Sequence, residues 1–320
     1  MRIKFLSGVL AALVIAAPVC RAQDLAVTPD LERCVQRGLA YLAETQLDSG
    51  CWGRRSTAIT GLSMMTFLAH GELPDEGKYG HVIRRAVNFI VNSQQSNGLL
   101  GPGSMYDHGF ATLALGEVYG VIDDERVGPA LKRATDLIVA AQNSLGAWRY
   151  SVGSTDADTT VSGAVMIGLR AAATAGMEVP LSAIQRGAAF YKSCFCPGGG
   201  FGYTGPGGPN QPRSGIGLLV LSLSGAYHSM EAKATADWLL THGFGGKGYF
   251  YYKSYYCSQA MYQAGGKYWQ QWNTVMTPLL ISMQMPNGSW PFGNLGTALN
   301  TAFALLSLEV NYNYLPIYQR

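Results

Sequence analysis

The feature that most constrains this chain is a pattern that recurs six times, at a period of roughly 50 residues. Each copy has an amphipathic segment, a turn that usually carries Gln, Gly and an aromatic residue, and a more apolar segment ending near Gly. In the first copy Leu39-Ala40-Tyr41-Leu42 leads to Gln46, Gly50 and Trp52, then to Ile59 through Gly71. The second runs from Ala86 through Ile90 to Gln94, Asn97 and Gly98, then Phe110 to Gly120; the third runs from Leu131 through Gln142, Gly146 and Trp148 to Thr159–Gly176. The fourth has no Gln and goes from Ile184 through the turn Gly199-Gly200-Phe201-Gly202-Tyr203 to Gly215–Gly225. The fifth is degenerate, Ala232–Leu240 followed by a Gly-rich turn and Tyr255–Ala264, and the sixth runs from Val275–Met283 through Gln284, Gly288 and Trp290 to Ala298–Val310.

The two segments of a copy predict helices with different surroundings. In the second copy Val82, Ile83, Ala86, Val87 and Ile90 share one helical face, with Arg84, Arg85 and Asn88 opposite. Such a helix belongs outside. Leu218 to Leu223 is apolar nearly all round and belongs between two layers. Outer and inner helices alternating through short turns give an open solenoid or a closed ring. Six copies without a polar capping repeat favour the ring, an all-α (α/α)6 toroid. Pro278 interrupts the last outer segment; it either kinks that helix or starts it with Thr277 as N-cap.

Low charge fits this density of buried helices. Asp, Glu, Lys and Arg make up 13% of 320 residues and hydrophobic residues 48%, while 40 glycines call for turns or close helix packing. The net charge of +3 comes without a Lys/Arg run, so neither a nucleic-acid partner nor a polybasic membrane patch is expected. Residues 1–22 read as a signal peptide: Arg2 and Lys4 precede the apolar run Phe5 to Ala17, which is too short to span a bilayer, and a small-residue cleavage pattern ends at Ala22. Cys20 offers a lipoprotein alternative, for which Ala17-Pro18-Val19 is a poor lipobox. The expected layout is therefore 1–22 signal and 23–320 toroid, exported to the periplasm or beyond, with no transmembrane segment in the mature chain. Nothing in the sequence sets an oligomeric state. Five cysteines remain after cleavage, Cys34, Cys51, Cys194, Cys196 and Cys257; Cys194 and Cys196 lack the companions of a zinc site, which leaves buried thiols or one local disulfide. No cofactor motif appears, since the Gly-Gly pairs sit in repeat turns.

The turns Gln46/Trp52, Gln142/Trp148 and Gln284/Trp290 resemble the QW motif of squalene-hopene and oxidosqualene cyclases. The resemblance covers residues 30–311, and Tyr255 to Met261 with Gly265-Gly266, Trp269 and Trp272-Asn273 looks like the late part of the same toroid. It implies acid-initiated cyclisation or isomerisation of a polyprenyl or triterpenoid substrate, with an isoprenoid or other apolar small molecule as ligand. Those cyclases use two helical domains, and this chain has room for one. Protein prenyltransferases share the ring but hold zinc through an Asp-x-Cys pair, and complement-type domains carry a Gly-Cys-Gly-Glu-Gln turn; neither motif occurs here.

Polar residues at inner-helix starts would face the mouth of a central cavity. Asp156-Ala157-Asp158-Thr159-Thr160 resembles the Asp-x-Asp-Asp-Thr motif of class II terpene cyclases, with Asp158 at the proton donor, Asp156 at the first acid and Thr159 replacing the third. The alternative for Asp158 is an N-cap of the helix that follows. Tyr106-Asp107-His108 starts the second inner helix, where His108 could support an acid or cap the helix, with Glu117 in a polar layer. Asp123-Asp124-Glu125 reads as a charged helix start. Of the aromatic residues Trp148, Tyr150, Tyr203, Tyr255, Tyr256, Trp269, Trp290 and Phe292, most are expected to pack; Tyr106, Tyr150, Tyr203, Tyr255, Tyr256 and Gln259 are the candidate substrate contacts. Two further readings stand beside the cyclase: a toroid that binds a ligand or protein without catalysis, and a polysaccharide lyase in which Arg149, Arg213 and Tyr203 act on a uronate.

Overall fold

The computed structural model describes residues 27–53, 56–245, 248–291 and 295–319. The expected signal segment 1–22 and Phe292 lie outside the described residues. Six outer helices, α1 (Pro29–Thr45), α3 (Gly80–Asn92), α5 (Val127–Ala141), α7 (Leu181–Ser193), α9 (Met230–His242) and α11 (Gly266–Ser282), alternate with six inner ones. The inner helices are α2 (Thr57–His70), α4 (Met105–Tyr119), α6 (Thr159–Thr174), α8 (Gln211–Leu223), α10 (Phe250–Ala264) and α12 (Thr297–Leu308). Each inner helix packs on the next, and α12 packs back on α2, so the chain closes as an (α/α)6 toroid. Among the described residues no helix is long and apolar enough to cross a membrane.

Burial follows the sequence pattern. In α3 only Gly80, Val82, Ile83, Ala86, Val87 and Ile90 are buried, whereas α10 buries every residue from Tyr251 to Gln263. The α4 and α6 backbones meet where neither can carry a side chain: a Cβ on Gly109 would lie 2.7 Å from the Ala164 carbonyl carbon, and one on Gly168 would lie 2.5 Å from the Gly109 oxygen. Helix α11 runs through Pro278 without a break, so Thr277 is an interior residue rather than an N-cap; its hydroxyl bonds Asn273 Oδ1 at 2.6 Å.

The repeat turns work as clamps between neighbouring copies. Gln46 donates through Nε2 to Gly50 O within its own turn and to Val82 O on the next outer helix, both at 2.9 Å, while Arg85 donates back to Gln46 Oε1. Gln94 repeats this with Gly98, Ala130 and Arg133, and Gln142 with Gly146, Ala183 and Arg186. The indole N–H of Trp52, Trp148 and Trp290 donates to Leu42 O, Ile138 O and Leu280 O, filling a free carbonyl near the end of the preceding outer helix. The clamp glycine is fixed twice over: Gly50 has φ 88°, and a Cβ there would come within 2.2 Å of Arg85 O. In the fourth copy Phe195 stands where the Gln would be, four residues before Gly199, and Gly199 faces Ala234 O instead of an Arg. Donor and partner are lost together.

After α12 the chain turns into the ring. Two short 3-10 helices, Glu309–Tyr312 and Pro316–Tyr318, pack at the C-terminal ends of the inner helices. Gln263 donates to Tyr318 O at 2.8 Å, Ile317 N donates to Glu117 Oε2 at 3.4 Å, and the hydroxyls of Tyr255 and Tyr318 meet at 3.0 Å. The far end of the ring is thereby filled. The five cysteines Cys34, Cys51, Cys194, Cys196 and Cys257 are buried and free of disulfides.

Candidate functional site

At the opposite end, where the inner helices begin, a cavity of about 510 Å³ opens to solvent. All six inner helices contribute to its wall or its rim: Ala58 from α2, Tyr106 and Phe110 from α4, Thr160 from α6, Arg213 from α8, Tyr252 from α10, and Leu299 and Phe303 from α12. Tyr150, Tyr203 and Tyr249 come from the loops ahead of α6, α8 and α10. Tyr150 and Tyr249 are about half exposed and form the lip, whereas Tyr252 is buried at the base. The floor is a packed aromatic layer: Tyr255 sits 4.9 Å from Tyr256 and 5.1 Å from Phe303, ring centre to ring centre, and Tyr252 lies 5.0 Å from Tyr256. Burial pushes the Tyr106 and Tyr256 hydroxyls well above the ordinary tyrosine range, with neighbouring tyrosines adding to it.

Tyr106, Tyr150 and Tyr203, expected at the mouth, do line the cavity. Tyr255 and Tyr256 lie one layer below it, and Gln259 is deeper still, donating to Leu306 O at 3.1 Å near the filled end of the ring. Gln259 is not part of the cavity lining. Tyr249, Tyr252, Asn210 and Phe303 line the wall without having been singled out from the sequence. The signal was present in Phe250-Tyr251-Tyr252, but the degenerate fifth copy hides where its inner helix begins.

The three candidate catalytic residues do not converge in the cavity. Asp158 is fully buried as the N-cap of α6: Oδ1 accepts from Thr160 N at 2.8 Å, Val161 N at 2.9 Å and the Thr160 hydroxyl at 2.5 Å. Its Oδ2 lies 3.5 Å from Arg149 Nη1, which also leaves Arg149 Nε 3.5 Å from Asp156 Oδ2. Oδ1 thus accepts three hydrogen bonds as a helix cap, and Oδ2 makes the ion-pair contact. Asp156 is mostly exposed and acts on Arg149 from the surface.

His108 is committed to the scaffold. Its Nδ1 accepts from Leu100 N at 2.9 Å, and its Nε2 donates to Ala134 O at 3.1 Å, which defines the neutral tautomer with the proton on Nε2. The same place, the fourth residue of the inner helix, holds Thr60 in α2, Ser162 in α6 and Ser214 in α8, whose hydroxyls accept from Trp52 N, Trp148 N and Phe201 N. His108 is the second copy's version of that acceptor, and burial holds it down at about 4. Aligning the copies column by column exposes this. Helix α4 is capped by Ser104, while Asp107 accepts from the Ser56 hydroxyl at 2.6 Å and so joins α4 to the start of α2.

Electrostatically the cavity is one-sided. Arg213 is the one charged side chain among the described residues that line it. Arg149 lies just behind, its guanidinium carbon 5.5 Å from the centre of the Tyr203 ring, and Arg213 approaches the same ring at 5.7 Å. Burial pushes the Tyr203 hydroxyl up to about 12 despite Arg149 nearby, so it remains a neutral donor at physiological pH.

Known structures share this ring. An inactive variant of the GH76A α-1,6-mannanase of Salegentibacter sp. HEL1_6, in complex with α-1,6-mannotriose, superposes with a TM-score of 0.68 over 89% of this chain and 99% of that one, at 8% identity. An unsaturated glucuronyl hydrolase specific for heparin gives 0.68 over 89% and 96% at 14% identity. The GH76 α-mannanase of Bacteroides thetaiotaomicron gives 0.68 over 90% and 97% at 10%. At these identities the likeness is one of fold, and it does not single out the squalene cyclases among α/α toroids. No curated protein matches the chain. A family profile described as a domain of unknown function, DUF6288, matches residues 32–213, more than half of the chain, from α1 to the first turn of α8. The chain therefore belongs to the DUF6288 family.

Proposed function

We propose that this protein binds carbohydrate in the tyrosine-walled cavity at the N-terminal ends of its inner helices. The observation that carries this is the wall itself: Tyr106, Tyr150, Tyr203, Tyr249 and Tyr252 surround one cavity of oligosaccharide size. Sugar rings present apolar C–H faces that pack on aromatic rings, and their hydroxyls bond to phenols and amides at the edge. Asn210, Thr160 and the tyrosine hydroxyls supply those polar partners. Export, as read from residues 1–22, would bring the domain to glycans outside the cytoplasm. Solved toroids of the same fold that hold mannose oligosaccharides support the reading by analogy.

Binding is favoured over glycoside hydrolysis because the usual two-carboxylate machinery needs acids flanking the bond, and no Asp or Glu lines the cavity among the described residues. The cyclase reading is disfavoured by Asp158, whose Oδ1 is taken by two backbone amides and the Thr160 hydroxyl and whose Oδ2 lies 3.5 Å from Arg149. Isothermal titration against a panel of neutral and acidic oligosaccharides, α-1,6-mannotriose among them, tests the proposal. Tyr150→Ala with Tyr249→Ala should weaken binding of the best ligand by about 10-fold or more, at roughly 1 kcal/mol per lost aromatic contact, with the thermal midpoint unchanged. Unchanged affinity in that double variant, or capture of a polyprenyl alcohol in preference to every sugar, would overturn it.

A further inference from the structure

Arg213 differs from Arg149, the other cation beside the cavity. Arg149, behind the same wall, is matched by Asp156 and Asp158, but Arg213 has no ion-pair partner among the described residues. Its guanidinium forms part of the cavity wall, with Nη2 donating to Gly208 O at 2.6 Å. The Nε–H beside it is buried and has no acceptor. A guanidinium carries five donors in a planar fork, and leaving a partly desolvated one without a counter-ion is costly.

The position is also held firmly. Arg213 lies in the first turn of α8, where its backbone N–H donates to the N-cap Asn210 at 3.0 Å, and Pro212 fixes the turn before it. Both guanidinium groups approach the Tyr203 ring, so this part of the cavity wall combines an aromatic plate with an uncompensated positive charge. Neutral sugars use the plate and leave the charge unmatched. A sugar with a carboxylate on its ring uses both, because its negative charge matches the unpaired guanidinium.

We infer that the cavity selects an acidic sugar, a uronate residue whose carboxylate pairs with Arg213 while its ring packs on Tyr203. This rests on the carbohydrate reading above and adds the substituent that the site recognises. Arg149 is a positioning residue, already held by two aspartates, that keeps the Tyr203 ring in place.

The test is titration of the intact protein with a glucuronate-terminated tetrasaccharide and with the same molecule after reduction of its carboxyl to the alcohol. The acid should bind about 10-fold or more tightly than its reduced form, the scale of one charge-assisted hydrogen bond, and the preference should shrink as salt is raised. Arg213→Gln should bring the affinity for the acid down to about that for the reduced form; Arg213→Lys should restore part of the preference, and a circular dichroism melt of each variant checks the fold. Equal affinity for the two forms, or a preference that survives in Arg213→Gln, overturns the inference and leaves the carbohydrate reading standing. Binding of neither form, nor of any neutral oligosaccharide, overturns both. A sulfated tetrasaccharide without uronate that binds more tightly than the glucuronate form would replace the carboxylate by a sulfate and so overturn the assignment to uronates.

Discussion

Gln284 of the last copy donates to Cys34 O of the first outer helix at 2.8 Å, and Arg37 of that helix donates back to Gln284 Oε1. This is the clamp that Gln46, Gln94 and Gln142 make with their successors, used here between residues 250 positions apart. It closes the ring. Gln284→Ala should cost about 1–3 kcal/mol, since it leaves the Cys34 carbonyl and the Arg37 guanidinium without their partner. Urea unfolding against Gln94→Ala makes the comparison. An effect below about 0.5 kcal/mol for Gln284→Ala would show that the helices alone hold the ring together.

Asp158 gives a test that separates scaffold from chemistry. Asn caps helices about as well as Asp, so Asp158→Asn should leave the fold nearly intact, whereas Asp158→Ala should lose about 1 kcal/mol or more along with the Arg149 contact. Thermal melts of both variants read this out. Loss of a measured turnover in Asp158→Asn, with stability unchanged, would return the residue to a catalytic role.

Acid should destabilise the protein through His108. The ring is held at about 4 in the folded state against 6.5 unfolded, so the unfolded chain binds more protons as pH falls through that window. The stabilisation is complete above 6.5 and is lost progressively down to 4. Because Glu117 opposes this slope above 4.5, the His108 contribution is read as a difference: the stability gap between wild type and His108→Asn, from urea midpoints at several pH values, should change steadily in favour of the wild type from pH 4 to 6.5. A variant that keeps the wild-type slope would show that other groups carry it.

Alkali should act through Glu117, with the opposite sign. Burial raises this carboxyl from 4.5 to about 8, so the folded state holds its proton longer than the unfolded chain does. Stability is present below 4.5 and falls as pH rises to 8. Glu117→Gln should be less sensitive to pH between 6.5 and 8, a range in which His108 no longer titrates. Buried Glu309, whose carboxyl is also raised by desolvation, would leave a residual slope. If Glu117→Gln steepens the fall instead, the protonated carboxyl is not what seats the backbone N–H of Ile317.

The ring and the end of it that holds the cavity were legible because both depend on periodicity: a helix apolar on one face must sit outside, and one apolar all round must sit between layers. What periodicity does not convey is azimuth, the direction in which a residue at a helix start points. Tyr106 and His108 are two residues apart on α4, roughly 200° around the axis at 3.6 residues per turn, and so they meet different neighbours. Tyr106 lines the cavity, whereas His108 turns back to Leu100 and α5. Gln259 lies below the cavity for a related reason: the degenerate fifth copy obscures where α10 starts, and with it the depth of each residue along that helix. The Arg halves of the clamps were invisible to a motif built on Gln and Trp alone, although Arg37, Arg85, Arg133 and Arg186 recur in register with them.

The hydroxyl contact between Tyr255 and Tyr318 carries a last consequence. Among the described residues that pair and its neighbours stop up the centre, so a ligand in the cavity enters and leaves at the end where the inner helices begin. A polymer cannot be threaded through the ring, and a long glycan would have to present a short stretch of itself at that mouth.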